Sequence, residues 1–134
     1  MNQSIIKMTI NVEELDVVRK WYRQELGLLR LCKTDRVVDL EDYASLRQEI
    51  KKVKIALDGL NLLKMTSIRR KDPEIRIGAY PPFFETFHEV MTNQRLLIED
   101  WLANAECKTE EKLDLMQELG CVLVVYRKVI RALS

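Results

Sequence analysis

The sequence predicts an all-α protein: a four-helix bundle-like domain built from two antiparallel helical hairpins, with a long basic loop between helices two and three. Three observations carry this expectation. The chain has 134 residues, of which only four are Gly and three Pro, too few for a loop-rich or all-β chain. Its apolar residues recur at steps of three and four almost throughout. The links inside each helix pair are short, which favours antiparallel neighbours, while the link between the pairs is long. The length suits one all-helical domain over residues 1–134.

The first helix is expected from Asn11 to near Leu31. Asn11 and Glu14 have the spacing of a capping box, and Leu15, Val18, Tyr22, Leu26 and Leu29 form the apolar stripe. A polar link at Lys33–Arg36 leads to a second helix starting near Asp39. Its seam is Tyr43, Leu46, Ile50, Val53, Leu57 and Leu60, with Gly59 marking where it begins to fray.

The third helix opens at Pro81-Pro82, where a missing N–H has no partner to lose. Its stripe is Phe84, Phe87, Met91, Ile98, Trp101 and Ala105, interrupted by Gln94. The fourth opens at Thr109 as N-cap, followed by Glu110 and Glu111 against the positive end of the dipole. Met116, Leu119, Leu123, Tyr126, Ile130 and Leu133 form its expected seam. Cys121–Tyr126 has strand-like composition, but the three/four pattern continues on both sides and assigns it to the helix. Between the hairpins, from Met65 to Tyr80, Ile75-Arg-Ile77 alternates and suggests a short extended segment or a small hairpin around Asp72-Pro73.

Composition narrows the function classes. Residues Met1–Ile10 lack the pattern of a secretory signal, and the longest apolar run, Cys121–Tyr126, falls far short of the roughly 20 residues that span a bilayer. The expectation is a cytoplasmic protein with no membrane contact. Three scattered cysteines, Cys32, Cys107 and Cys121, suit reduced buried thiols better than a disulfide framework or a zinc site. No cofactor is expected.

The formal net charge of +1 conceals a polarity. From Arg47 to Lys71 eight basic residues face two acids, a local +6; from Phe83 to Glu118 nine acids face three basic residues, a local −6. Lys51, Lys52, Lys54, Arg69, Arg70 and Lys71 are therefore candidate anion or nucleic-acid contacts, able to meet phosphates without reading sequence. Against this stand a sequence pI of about 7.7, no recognised nucleic-acid-binding motif, and no aromatic residues interleaved with the lysines. The plainer reading is that the basic helix complements the acidic hairpin, within one chain or between copies.

Catalytic patterns are weak. Glu85-Thr-Phe-His88 is one E-x-x-H, but di-iron bundles need two, and the chain has a single His. Glu111, Asp114 and Glu118 share a helix face that could hold Mg²⁺, and Glu111-Lys-Leu-Asp114 superficially resembles half the acidic pattern of all-α nucleotide pyrophosphohydrolases. No convincing companion motif accompanies it. Phosphate-loop, nucleophile-elbow and zincin signatures are missing from the sequence. No catalytic residue and no metal ligand is assigned.

Apolar residues off the predicted stripes are the remaining clue: Trp21, Leu28, Ile55, Leu62, Phe83 and Val125. Wider core faces account for part of this surplus, and an interface for the rest. Trp21, Phe83 and Val125 are the candidate interface residues. The leading expectation is a non-enzymatic helical interaction or assembly module, self-associating or part of a larger complex. The alternative is a small nucleic-acid-associated subunit that binds phosphate backbone through the basic helix and loop.

Overall fold

In the computed structural model, residues 5–34 and 40–133 are described, with the side chains of 33–42 outside that description. The element order is β1 (Ile6–Asn11), α1 (Val12–Thr34), α2 (Leu40–Arg70), β2 (Glu74–Ala79), α3 (Pro81–Leu102) and α4 (Thr109–Leu133). The protein is thus mostly helical, with four helices and a small two-stranded sheet. Helical periodicity located all four helices. The sheet was not part of the expected architecture.

β1 forms because Ile6, Met8 and Ile10 alternate with Lys7 and Thr9, a period-two pattern with one apolar face. It pairs antiparallel with β2, placing Met8 opposite Ile77 and Ile10 opposite Ile75. All four of these side chains are buried, so one face of the sheet caps the helical core. The Ile75-Arg-Ile77 alternation is therefore a strand, and its partner lies at the start of the sequence rather than across a local hairpin.

The turn into β1–α1 follows the sequence code closely. The Asn11 backbone N–H donates to Glu14 Oε1 at 2.9 Å, and the Glu14 N–H donates to Asn11 Oδ1 at 2.8 Å. This reciprocal pair satisfies two donors at the junction. α1 continues through Thr34, into the residues expected to link the first two helices. The rest of that link, and the expected start near Asp39, lie outside the described residues.

α2 extends well beyond Gly59, to Arg70, so the first six of the sixteen residues of the expected long loop are helix. A single exposed Gly costs a helix only about 1 kcal/mol, which the packing of neighbouring Val53, Ala56, Leu57 and Leu60 offsets. The helix stops where Lys71 adopts a left-handed conformation with φ 53°. There the Asp72 N–H donates to the Ser67 carbonyl and the Lys71 N–H to the Ile68 carbonyl, each at 3.3 Å, a Schellman termination. The Glu74 N–H then donates to Asp72 Oδ1, turning the chain into β2.

α3 starts at Pro81 with Tyr80 in extended backbone, as the Pro-Pro pair requires. α4 starts one position differently from expectation: the Lys112 N–H donates to the Lys108 carbonyl at 2.9 Å, placing Thr109 inside the first turn. Cys121–Tyr126 is helical throughout.

α1 is the central helix and packs against α2, α3, α4 and β1. Its buried face is accordingly wide, including Leu15, Val18, Trp21, Tyr22 and Leu26 together with Glu14 and Glu25. Polar side chains tie it to each neighbour. Asp16 meets Lys64 of α2 at 2.8 Å, and Arg19 Nε donates to Asn61 Oδ1 at 2.8 Å. Lys128 of α4 donates to the buried Glu14 at 2.9 Å. Gln94 of α3 donates to the buried Glu25 at 3.1 Å, with Asn93 a longer second donor at 3.5 Å. Each buried carboxylate therefore has donors, which is the condition for tolerating its burial.

Candidate interaction surface

α4 has two apolar faces, and only one enters the core. Val122, Val125 and Val129 are buried. Leu113, Met116, Leu123 and Ile130 are 59%, 59%, 47% and 56% exposed. With exposed Gly120 and Arg127 they recur at steps of three, four, three, four and three, a continuous line along the helix. Met116, Leu123, Ile130 and Leu133 were expected in the seam; all four are exposed, while Leu119 and Tyr126 pack against the rim of the core. The inner face consists of valines because it meets α1 and β1 at close range, where small β-branched side chains fit.

The predicted interface residues Trp21, Phe83 and Val125 pack inward. Trp21 has no exposed surface, and its indole N–H donates to Glu118 Oε1 at 3.2 Å. Val125 is buried with Ile10, Val18, Phe84, Phe87 and Val129 around a residual void of only about 10 Å³. Phe83 lines the same void, packs on the core, and meets Phe84 edge-on at 5.4 Å. Trp21 and Val125 are therefore core residues, and Phe83 is largely committed to that core. Their off-stripe positions reflect wide helix faces. Of the other off-stripe residues, Leu28, Ile55 and Leu62 are exposed.

Beside the outer line of α4 lies a groove shared with α3, with a volume of about 130 Å³. Met91, Leu119, Val122 and Tyr126 form its apolar wall, with Trp21 at its base; Arg95 and Arg127 supply the charge at its edges. Leu123 and Ile130 belong both to the groove and to the exposed line. Sequence reasoning missed this surface because it placed those leucine-type positions inside. The available signal was the presence of apolar residues on two faces of one helix.

α2 also presents exposed apolar residues, without an apolar groove beside them among the described pockets. Ile55, Leu62, Met65 and Ile68 are exposed, interleaved with charged residues. All six predicted basic contacts are exposed. They do not make one patch. Eighteen residues are five helical turns, so Lys51 and Arg69 align but stand about 27 Å apart, with Lys54 beside the first and Asp58 between them. Lys52 and Arg70 lie about 100° around the helix, and Lys52 pairs with Glu49 at 3.3 Å. Arg69 and Arg70 occupy the last turn, where cations oppose the helix dipole, and Lys71 sits in the terminating turn.

Two of the three carboxylates considered for catalysis have structural partners. Glu111 accepts the Trp101 indole N–H at 2.7 Å, and Glu118 accepts from both Lys20 and Trp21. Exposed Asp114 borders a shallow depression with Glu13, Asp16 and Lys20. His88 is exposed and stands edge-on to Tyr126 at 5.6 Å. Among the described residues no group of three or more His, Cys, Asp or Glu is arranged to hold a metal ion. Burial pushes the Cys107 thiol up, with the Glu111 charge adding to it. Burial also raises the Cys121 thiol, helped by Glu14 and Glu13. Raised thiols have little thiolate and are poor nucleophiles. Among the described residues no helix is long and apolar enough to cross a membrane.

No family model matches the chain, and no curated protein or solved structure shows significant similarity to it.

Proposed function

We propose that this chain is a non-enzymatic helical interaction module that assembles, with itself or within a larger complex, through the outer face of α4. One observation carries the reading: Leu113, Met116, Leu123 and Ile130 form an exposed apolar line on a helix whose other face already fills the core. Scattered exposed leucines are ordinary, whereas a periodic line beside an apolar groove is the shape of a helix-docking surface. The supporting scaffold is a bundle of two antiparallel hairpins. Asp16–Lys64 and Arg19–Asn61 run in opposite order along α1 and α2, as do Phe87–Tyr126 and Trp101–Glu111 along α3 and α4. Of the acids that would serve catalysis, Glu111 and Glu118 tie α4 to α3 and α1, and burial raises the Cys107 and Cys121 thiols.

A photo-crosslinking amino acid placed at position 123, in native cells, tests the reading. A covalent protein adduct from position 123, and none from the exposed polar position 48, is expected. Equal labelling at both positions, or none at 123, would overturn it.

Nucleic-acid binding is the second reading, supported by the exposed alignment of Lys51, Lys54 and Arg69 on α2. It predicts oligonucleotide binding that weakens steeply between low and moderate salt. Absence of binding at low salt would end it.

A further inference from the structure

We propose that the occupant of the outer α4 face is the same face of a second copy of this chain, the two helices lying antiparallel about a twofold axis near Gly120–Leu123. This rests on the interaction reading above and adds the partner and its orientation. The exposed line Leu113, Met116, Gly120, Leu123, Arg127, Ile130 has the three/four spacing of a helix–helix seam sustained over five turns. Antiparallel pairing sets Leu113 against Ile130 of the second copy, Met116 against Arg127, and Gly120 against Leu123. Gly120 then stands beside the axis, where a Cβ would meet nothing within 4 Å in the single chain and the missing side chain lets a second helix approach.

Charge decides the direction. The first turns of α4 carry Glu110, Glu111 and Asp114 against Lys112, and its last turns carry Arg127, Lys128 and Arg131 with no acid. An antiparallel pair places the acidic start of each helix beside the basic end of the other, with Glu110 and Arg131 of the two copies at facing flank positions. A parallel pair would set acid against acid and base against base. Opposed helix dipoles favour the same arrangement. The contact is isologous, so it closes as a dimer and leaves no unpaired α4 face to propagate.

The test is sedimentation velocity on the full chain across concentration, with three variants and a crosslink. The wild type is expected to approach twice the 15.8 kDa chain mass, and Leu123→Glu to weaken the dimer roughly a hundredfold while retaining wild-type helical content. Glu110→Lys alone and Arg131→Glu alone should each weaken assembly several-fold, and the two together in one chain should restore it, which a general effect on folding would not do. In a Cys32→Ser background, a mixture of Leu113→Cys and Ile130→Cys chains should form the mixed disulfide under mild oxidation in preference to either symmetric one. A chain of single mass at all concentrations, or a symmetric 113–113 disulfide, would overturn the proposal. A dimer insensitive to Leu123→Glu but dissolved by Leu62→Glu would move the contact to α2 and overturn it as well. An in-cell adduct at position 123 to a different protein would overturn the self-pairing while leaving the interaction reading in place.

Discussion

Asn11 and Glu14 show how far a local code can be read directly. Their capping box joins β1 to α1 through two short hydrogen bonds, and four residues of sequence contain all of it. Asn11→Ala should cost about 1 kcal/mol in urea unfolding, whereas Asn11→Asp should cost far less. Tyr22 behaves differently. Its position on the α1 stripe was legible, but not that its hydroxyl is buried with no hydrogen-bond partner among the described residues. A hydroxyl in that setting carries a desolvation penalty that a phenyl ring escapes. Tyr22→Phe should therefore stabilise the fold by about 1 kcal/mol. Burial also pushes the Tyr22 phenol far above its ordinary value of 10.0. The folded chain keeps this proton where the unfolded chain releases it, so the contribution is intact below pH 10 and stability falls as pH rises beyond that. Alkaline denaturation followed by circular dichroism should show a shallower fall in Tyr22→Phe; identical curves would remove Tyr22 from the explanation.

Elements were legible where periodicity is local and unreadable where it needs a distant partner. All four helices follow from three/four spacing, and α3 from Pro81-Pro82. β1 did not, although Ile6, Met8 and Ile10 alternate, because its pairing residues are Ile75 and Ile77, beyond two intervening helices. Gly59 lowers helix propensity locally, yet α2 runs through it to Arg70. Open space surrounds its missing side chain, so Gly59→Ala should stabilise α2 by about 1 kcal/mol in a thermal melt. Between elements, Gln94 was read as an interruption of the α3 stripe, yet it is the donor that makes the burial of Glu25 on α1 tolerable. Gln94→Leu should destabilise by about 3 kcal/mol, and the pair Glu25→Leu with Gln94→Leu by distinctly less. A double-mutant cycle with no coupling would contradict that role.

At the scale of the whole molecule, the off-stripe apolar residues divide: Leu28, Ile55 and Leu62 are exposed, while Trp21 and Val125 belong to the core. α4 carries apolar residues on two faces, and periodicity alone cannot say which of them meets the core. The choice falls to long-range packing: α1 and β1 take Val122, Val125 and Val129, leaving the larger Leu113, Met116, Leu123 and Ile130 outside. Charge polarity survives with a changed meaning. Part of the basic charge on α2 is used internally, as Lys64 pairs with Asp16, and the six candidate contacts divide between two distant parts of the helix. The more coherent surface is the outer face of α4, apolar along its line, acidic at its start and basic at its end. The paired thermal melts of Leu123→Glu and Val125→Glu test that two-faced helix most directly. Leu123→Glu is predicted to keep a cooperative transition close to wild type, and Val125→Glu to lose it; a Leu123→Glu chain that fails to fold beside a Val125→Glu chain that melts normally would contradict the assignment.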